Sequence, residues 1–169
     1  MTLVVLLGGA RSGKSSLAVR LARAEGAPVT FLATGEPRDD EMAERIRLHR
    51  AERPEGWTTI EEPLELQPAI ARVPEEDTLV IDCLSLWVAN VLERGAEERL
   101  EGAVASAATR SGLTVAVSNE VGLGIVPVTP LGRRYRDVLG RVNAAWVEAS
   151  ERAYLVVAGR ALPLERVLG

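Results

Sequence analysis

The sequence has 169 residues, 47% of them apolar and 26% charged, with a formal net charge of -4; this is a globular composition and excludes a coiled coil, a collagen or a disordered chain. The acidic balance argues against nucleic acid as the main partner, because phosphate backbones select faces rich in Lys and Arg. A lone cysteine, Cys83, leaves no internal disulfide, and the apolar run at Leu3–Leu7 is far too short to span a bilayer, so a cytoplasmic protein with no membrane span is expected.

In chain order, Leu3–Leu7 is a continuous apolar run before Gly8 and Gly9 and is expected to be a buried strand. Ser15–Glu25 is expected to be a helix ended near Gly26 and Pro28. Val29–Ala33 is a second strand, and Asp39–Arg53 a helix with Asp39, Asp40 and Glu41 at its positive end and Pro54 as its stop. Trp57–Ile60 is expected as a short strand, Leu64–Arg72 as a short helix, and Thr78–Asp82 as a buried strand ending on a carboxylate. Leu84–Leu92 and Glu97–Arg110 are expected helices, Leu113–Ser118 a strand and Val121–Pro130 a Gly/Pro loop. Leu131–Glu151 reads as a long helix and Tyr154–Ala158 as the last strand.

Alternating strands and helices predict an α/β three-layer sandwich with a mostly parallel central sheet. The uniformly apolar strands predict helices on both faces. No linker or internal repeat divides the chain, so residues 1–169 are expected to form one nucleotide-binding domain. In such folds ligands sit at the carboxyl ends of the strands. The polar residues of interest fall there: after Leu7, after Ala33, at Asp82 and after Ser118.

Gly8, Gly9, Ala10, Arg11, Ser12, Gly13, Lys14 and Ser15 match G-x-x-x-x-G-K-[ST]. Glycines let the backbone turn its N–H groups onto phosphate oxygens. Lys14 reaches the β- and γ-phosphates, and Ser15 is placed to ligate Mg²⁺. A Gly-rich turn that binds nothing is the bland alternative. A chance match in a chain this long is on the order of 1%, and this one also follows a strand and opens a helix. The expected class is therefore a P-loop NTPase of the RecA-like type.

A GTPase switch needs an [NT]-K-x-D motif, which cannot occur because Lys14 is the only lysine. Asp137–Gly140 matches D-x-x-G but lies inside an expected helix. Asp82, at the end of a buried strand, is placed as a Walker B carboxylate holding Mg²⁺ directly or through water. Its alternative role is a cap for the next helix. The metal role is favoured, because the P-loop needs such a partner.

The only histidine, His49, shares a helix face with Met42, Ile46 and Arg53 by i, i+3/i+4 spacing. Spacing alone reads it as bordering the buried face. The arginines at 45, 47, 50 and 53 are either a solvated face paired with Glu41, Glu44 and Glu52, or phosphate clamps.

Taken together, five segments resemble the bifunctional adenosylcobinamide kinase/adenosylcobinamide-phosphate guanylyltransferase family. They are Gly8–Ser15; Ala33-Thr34 with Asp39–Met42 and Arg45-Ile46…His49-Arg50…Arg53-Pro54; Trp57…Glu61-Glu62-Pro63; Asp82-Cys83-Leu84…Trp87…Asn90; and Asn119–Pro127 running on to Arg141-Val142-Asn143. The resemblance implies phosphorylation of adenosylcobinamide by a nucleoside triphosphate, GTP or ATP. GMP would then pass from GTP to adenosylcobinamide phosphate through a GMP-histidine. It implies His49 as the guanylylated residue and Lys14 as catalytic. It places Ala33, Thr34, Gly35, Arg50, Ala51, Glu52, Arg53, Glu61 and Asp82 at the nucleotide, with Mg²⁺ on Ser15 and Asp82. It also implies a homo-oligomer, a trimer. Neutral imidazole suits this chemistry, being nucleophilic near neutral pH without a strong base. Asp82 and Glu120 are the candidates to accept the proton of the attacking hydroxyl. The Asn119–Pro127 loop is either a tight turn or a contact to nucleotide or substrate.

Overall fold

The computed structural model describes residues 2–51 and 53–166. Seven strands make one sheet: β1 (Thr2–Gly8), β2 (Val29–Ala33), β3 (Thr58–Glu61), β4 (Thr78–Asp82), β5 (Leu113–Asn119), β6 (Arg152–Val157) and β7 (Arg160–Pro163). Their order is β3-β2-β4-β5-β1-β6-β7. All neighbours are parallel except β6 and β7. The helices are α1 (Lys14–Glu25), α2 (Asp40–Ala51), α3 (Leu66–Ala71), α4 (Leu84–Glu93), α5 (Ala103–Ala108) and α6 (Pro130–Ala149).

β1 shows why its sequence is apolar throughout. Leu3, Val5 and Leu7 point into a core shared with α3, α4, α5 and α6. Val4 and Leu6 point the other way, into a core with Ala18 and Ala22 of α1. Side chains alternate across a strand, so a sheet covered on both faces needs no polar position. Burying one such side chain contributes about 1.5–3 kcal/mol, against about 0–1 for an exposed ion pair. The two cores therefore hold the sheet, and the many surface Arg–Glu pairs are secondary.

Three of the differences between expected and observed elements have a clear physical reason. The helix expected over Glu97–Arg110 is broken: a 3-10 turn covers Glu97–Leu100, and α5 starts only at Ala103. Gly102 between them has φ 77, a left-handed conformation glycine adopts readily. β7 was not expected. It is a four-residue antiparallel edge strand with every residue exposed, so it carries no alternating pattern to read. Its Pro163 is tolerated because the edge needs no further donor. The short helix begins at Leu66 rather than Leu64, with Pro68 in its first turn, where no backbone donor is missed.

Parallel strands bring their carboxyl ends to one edge. There Glu61, Ala33 and Asp82 lie side by side: Ala33 is the register partner of both Glu61 and Asp82. Gly8 pairs with Asn119.

Candidate functional site

The P-loop leaves β1 at Gly8 and enters α1 at Lys14. Two of its glycines are required by their surroundings. A Cβ on Gly8 would fall 2.3 Å from the Val156 carbonyl oxygen, and Gly13 caps α1 with φ 100. The loop is buttressed from the C-terminal hairpin, where Gly159 N–H donates to Ser12 O at 2.8 Å. Lys14 is buried and its ammonium lies back over the loop, donating to Gly9 O at 2.6 Å and Ser12 Oγ at 3.4 Å. Gly9, Ala10 and Arg11 face water. The eight residues expected at the phosphates are thus one contiguous cradle at a helix N-terminus, suited to anions.

A second constellation forms at the other end of the same edge. α2 follows β2, which stands three places from β1 in the sheet order, about 14 Å at ~4.8 Å per strand. Met42, Ile46, His49 and Arg53 are half-buried while Ala43, Glu44, Arg47, Leu48 and Arg50 are exposed, so the face read from spacing is the inward one. No described residue of α2 is fully buried, and His49 belongs to neither core cluster. Arg50, Arg53, Pro54, Glu55, Gly56, Trp57, Thr59 and Glu61 line an open cleft of about 610 Å³. A smaller cleft of about 170 Å³, lined in part by Gly35 and Arg47, shares the Arg50–Glu61 ion pair as a wall. Both side chains of that pair are half-exposed, and such pairs contribute only about 0.2–1 kcal/mol. Parting Arg50 from Glu61 therefore costs little. Arg53 is more firmly placed, 4.0 Å over the Phe31 ring and donating to Thr59 Oγ1 at 3.3 Å. Glu52 and the side chain of Arg45 lie outside the described residues. Ala51 is exposed on the last turn of α2.

Asp82 stands between these two sites, on β4. Among the described residues its carboxylate has no hydrogen-bond or ion-pair partner, and the position capping α4 is Cys83, not Asp82. The Ser15 hydroxyl likewise makes no hydrogen bond among the described residues. An uncommitted carboxylate and hydroxyl at a phosphate cradle fit Mg²⁺, which takes few protein ligands and completes its shell with water and phosphate oxygens. Electrostatics tie the three places together. Arg53 is held below its ordinary value by burial first and by the Arg50 charge, while Asp82 opposes that shift. The buried Cys83 thiol is pushed up to about 11, by burial first and then by Asp82, while Ser85 and Lys14 pull it down.

Thr34 is 0% exposed and its hydroxyl is bonded to the Cys83 main chain, so this side chain faces the interior and not a nucleotide. Ala33 is also buried, and Gly35 reaches the smaller cleft. Asn90 donates to Thr34 O at 2.8 Å and Pro63 O at 3.1 Å, and Trp87 to Leu64 O at 2.8 Å. Trp87 and Asn90 therefore brace the loops behind the site. Trp87 and Trp146 are core residues, and Trp57, partly buried against the second core, also lines the larger cleft. Sequence reasoning missed Thr59 and the Val156–Gly159 buttress. Neither carries a motif, and only strand order brings them to the edge.

Residues 4–164 match the family described as cobinamide kinase / cobinamide phosphate guanyltransferase. The chain is 43% identical over 166 residues to the bifunctional adenosylcobalamin biosynthesis protein CobP of Pseudomonas aeruginosa, covering 95% of this chain and 96% of that protein. It is 34% identical over 175 residues to the bifunctional adenosylcobalamin biosynthesis protein CobU of Escherichia coli, covering 93% and 96%. Among solved structures, an ATPase of the type III secretion system of pathogenic bacteria superposes with a TM-score of 0.51 at 12% identity. That match covers 91% of this chain and 51% of the ATPase, and it places the chain in the P-loop ATPase fold.

Proposed function

The chain belongs to the cobinamide kinase / cobinamide phosphate guanyltransferase family, and from that premise we propose how its residues divide the two transferase activities. The kinase step belongs to the P-loop. Gly8–Ser15 would hold the triphosphate of the donor, GTP or ATP, with Lys14 on the β- and γ-phosphates. The substrate hydroxyl attacks the γ-phosphorus, its bond to the bridging oxygen breaks, and the nucleoside diphosphate leaves. Asp82 and Glu120 are the two candidates to take the hydroxyl proton. Mg²⁺, held by Ser15 and Asp82, would neutralise phosphate charge when bound.

The guanylyl step belongs to α2 and the adjoining clefts. A His49 ring nitrogen attacks the α-phosphorus of GTP, the bond to the β-phosphate oxygen breaks, and pyrophosphate leaves. A phosphate oxygen of cobinamide phosphate then attacks the same phosphorus, and the phosphorus–nitrogen bond breaks to release the GDP-linked product. Arg50 and Arg53 would carry the charge on the transferred group; Arg50 gives up Glu61, while Arg53 is already preset over Phe31. Ala33, Gly35, Ala51, Glu52 and Glu61 complete the proposed nucleotide contacts, and Thr34 contributes by fixing the backbone. A cytoplasmic homo-oligomer, a trimer, built on a single domain over residues 1–169 remains part of this proposal.

One observation supports the reading: the P-loop and the arginine-bearing clefts by α2 lie on one sheet edge, three strands apart, with Asp82 between them in the strand order. The test is incubation with GTP labelled on the α-phosphate, followed by denaturation. Acid-labile, base-stable label on the chain is expected. Kinase turnover without any such adduct would leave His49 a structural residue and the protein a simple kinase.

A further inference from the structure

We propose that the loop between β5 and α6 is the docking surface for the corrin ring of the cobinamide substrate. The inference rests on the kinase reading above and names the substrate contact of that same site.

Six aliphatic side chains on this segment face water: Val121, Leu123, Ile125, Val126, Val128 and Leu131. Leu123 is 82% exposed, Ile125 96% and Val128 91%. Six of the ten exposed large hydrophobic side chains among the described residues thus fall within residues 121–131, and such clustering of exposed apolar side chains marks a binding site. The backbone carrying it is tied down. Asn143 Nδ2 donates to Asn119 O at 3.0 Å, Gly122 N–H donates to Glu120 Oε1 at 2.5 Å, and Arg133 Nη1 donates to Pro127 O and Val128 O, both at 2.9 Å. These bonds fix the two ends of the loop, at Asn119–Gly122 and at Pro127–Val128, and the most exposed side chains lie between and beside them.

Position selects the occupant. Asn119 is the register partner of Gly8, and Glu120 N–H donates to Gly8 O at 3.0 Å, so the loop leaves the sheet directly beside the P-loop. The substrate has to bring a hydroxyl to the γ-phosphorus at Lys14. Its macrocycle is too large to follow that hydroxyl into the cradle, so it must lie on the neighbouring surface. A corrin ring presents methyl groups and primary amides at its rim. The aliphatic loop suits the methyl groups, and Glu120, Arg133 and Arg134 at its margins suit the amides. The clefts by α2 both carry the Arg50–Glu61 ion pair in their walls, charges that the aliphatic loop does not present. A second copy of the chain could cover an aliphatic patch anywhere on the molecule; only the substrate requires it within reach of the transferred phosphoryl group.

The test uses the full chain carrying Leu123→Ser together with Ile125→Ser, with Leu123→Met and Ile125→Leu as the conservative pair. Both positions lie outside the two cores, so folding is retained. Four readouts are taken: KM for adenosylcobinamide in GTP-dependent phosphorylation, KM for GTP, labelling by α-labelled GTP, and mass in solution. We expect the serine pair to raise KM for adenosylcobinamide at least tenfold. GTP KM, labelling and mass should stay within twofold, and the conservative pair should match wild type. An unchanged adenosylcobinamide KM overturns the inference. So does a fall in mass accompanying the loss, which would make the loop a subunit contact. Wild-type protein that phosphorylates no cobinamide would overturn the kinase reading itself, and this inference with it.

Discussion

Thr34 and Cys83 hold each other through a reciprocal pair of hydrogen bonds. Thr34 Oγ1 donates to Cys83 O at 2.7 Å and accepts from Cys83 N–H at 3.0 Å. One residue follows β2 and the other follows β4, so the pair pins two adjacent strand ends together. Thr34 N–H also donates to Asp82 O at 3.2 Å. The main chain on both sides of the Asp82–Cys83 peptide is thus tied to one buried threonine.

Thr34→Val keeps the shape and removes the hydroxyl, leaving the Cys83 N–H without its partner in a buried place and the Cys83 C=O with only the Trp87 N–H, at 3.2 Å. The expected destabilisation is about 1–3 kcal/mol, or a melting temperature lower by roughly 3–10 °C for a domain of this size. Thermal unfolding measures it. An unchanged melting temperature would mean that water replaces the hydroxyl and the pair is dispensable.

Asp82→Asn removes a charge and keeps the volume. With no cap bond or ion pair to lose among the described residues, the melting temperature should change by only a degree or two. The Mg²⁺ concentration for half-maximal kinase rate should rise by about tenfold or more, since one lost charge-assisted contact is worth roughly 1.5–3 kcal/mol. Titrating Mg²⁺ at saturating nucleotide checks this. A collapse in stability with unaltered Mg²⁺ demand would make Asp82 structural.

His49→Ala should separate the two activities. His49 is the only histidine, so no other imidazole replaces it as nucleophile. Labelling by α-labelled GTP and formation of the GDP-linked product should be lost. Cobinamide phosphate should still be made, at a rate reduced by no more than about tenfold if one nucleotide contact of about 1–2 kcal/mol is lost. Because no described residue of α2 belongs to a core cluster, the fold should survive. Equal losses in both rates would argue for a shared binding defect.

Stability should fall above pH 9. The Cys83 thiol is raised from an ordinary value of 9.0 to about 11, and the Tyr135 hydroxyl from 10.0 to about 12, by burial first. In both cases the folded state keeps a proton that the unfolded state releases. The contribution is complete below the unfolded values and is lost as pH rises through the folded ones. The urea midpoint should therefore decline between pH 9 and pH 12. Cys83→Ser retains a group able to bond Ser85 and removes the first titration, so its midpoint should stay level until about pH 10. A wild-type midpoint independent of pH over this range would show that neither group is held protonated.

The sequence by itself determined the P-loop, because phosphate binding there is a local property: eight consecutive residues supply the turn, the lysine and the hydroxyl. It pointed to the parallel sheet as well, since strands buried on both faces are apolar through their centres, as Leu3–Leu7 of β1, Leu79–Ile81 of β4 and Val115–Val117 of β5 are. The inward face of α2 was legible from the spacing of Met42, Ile46, His49 and Arg53. Tertiary structure alone decided the rest. Strand order set Asp82 beside Ala33 and Ala33 beside Glu61, residues far apart in the chain. It brought Thr59 and Trp57 into a cleft with Arg50 and Arg53, and Gly159 beneath Ser12. It also turned Thr34 inward: position along the chain marks a residue as near the site, but only packing decides whether its side chain meets the ligand or the core.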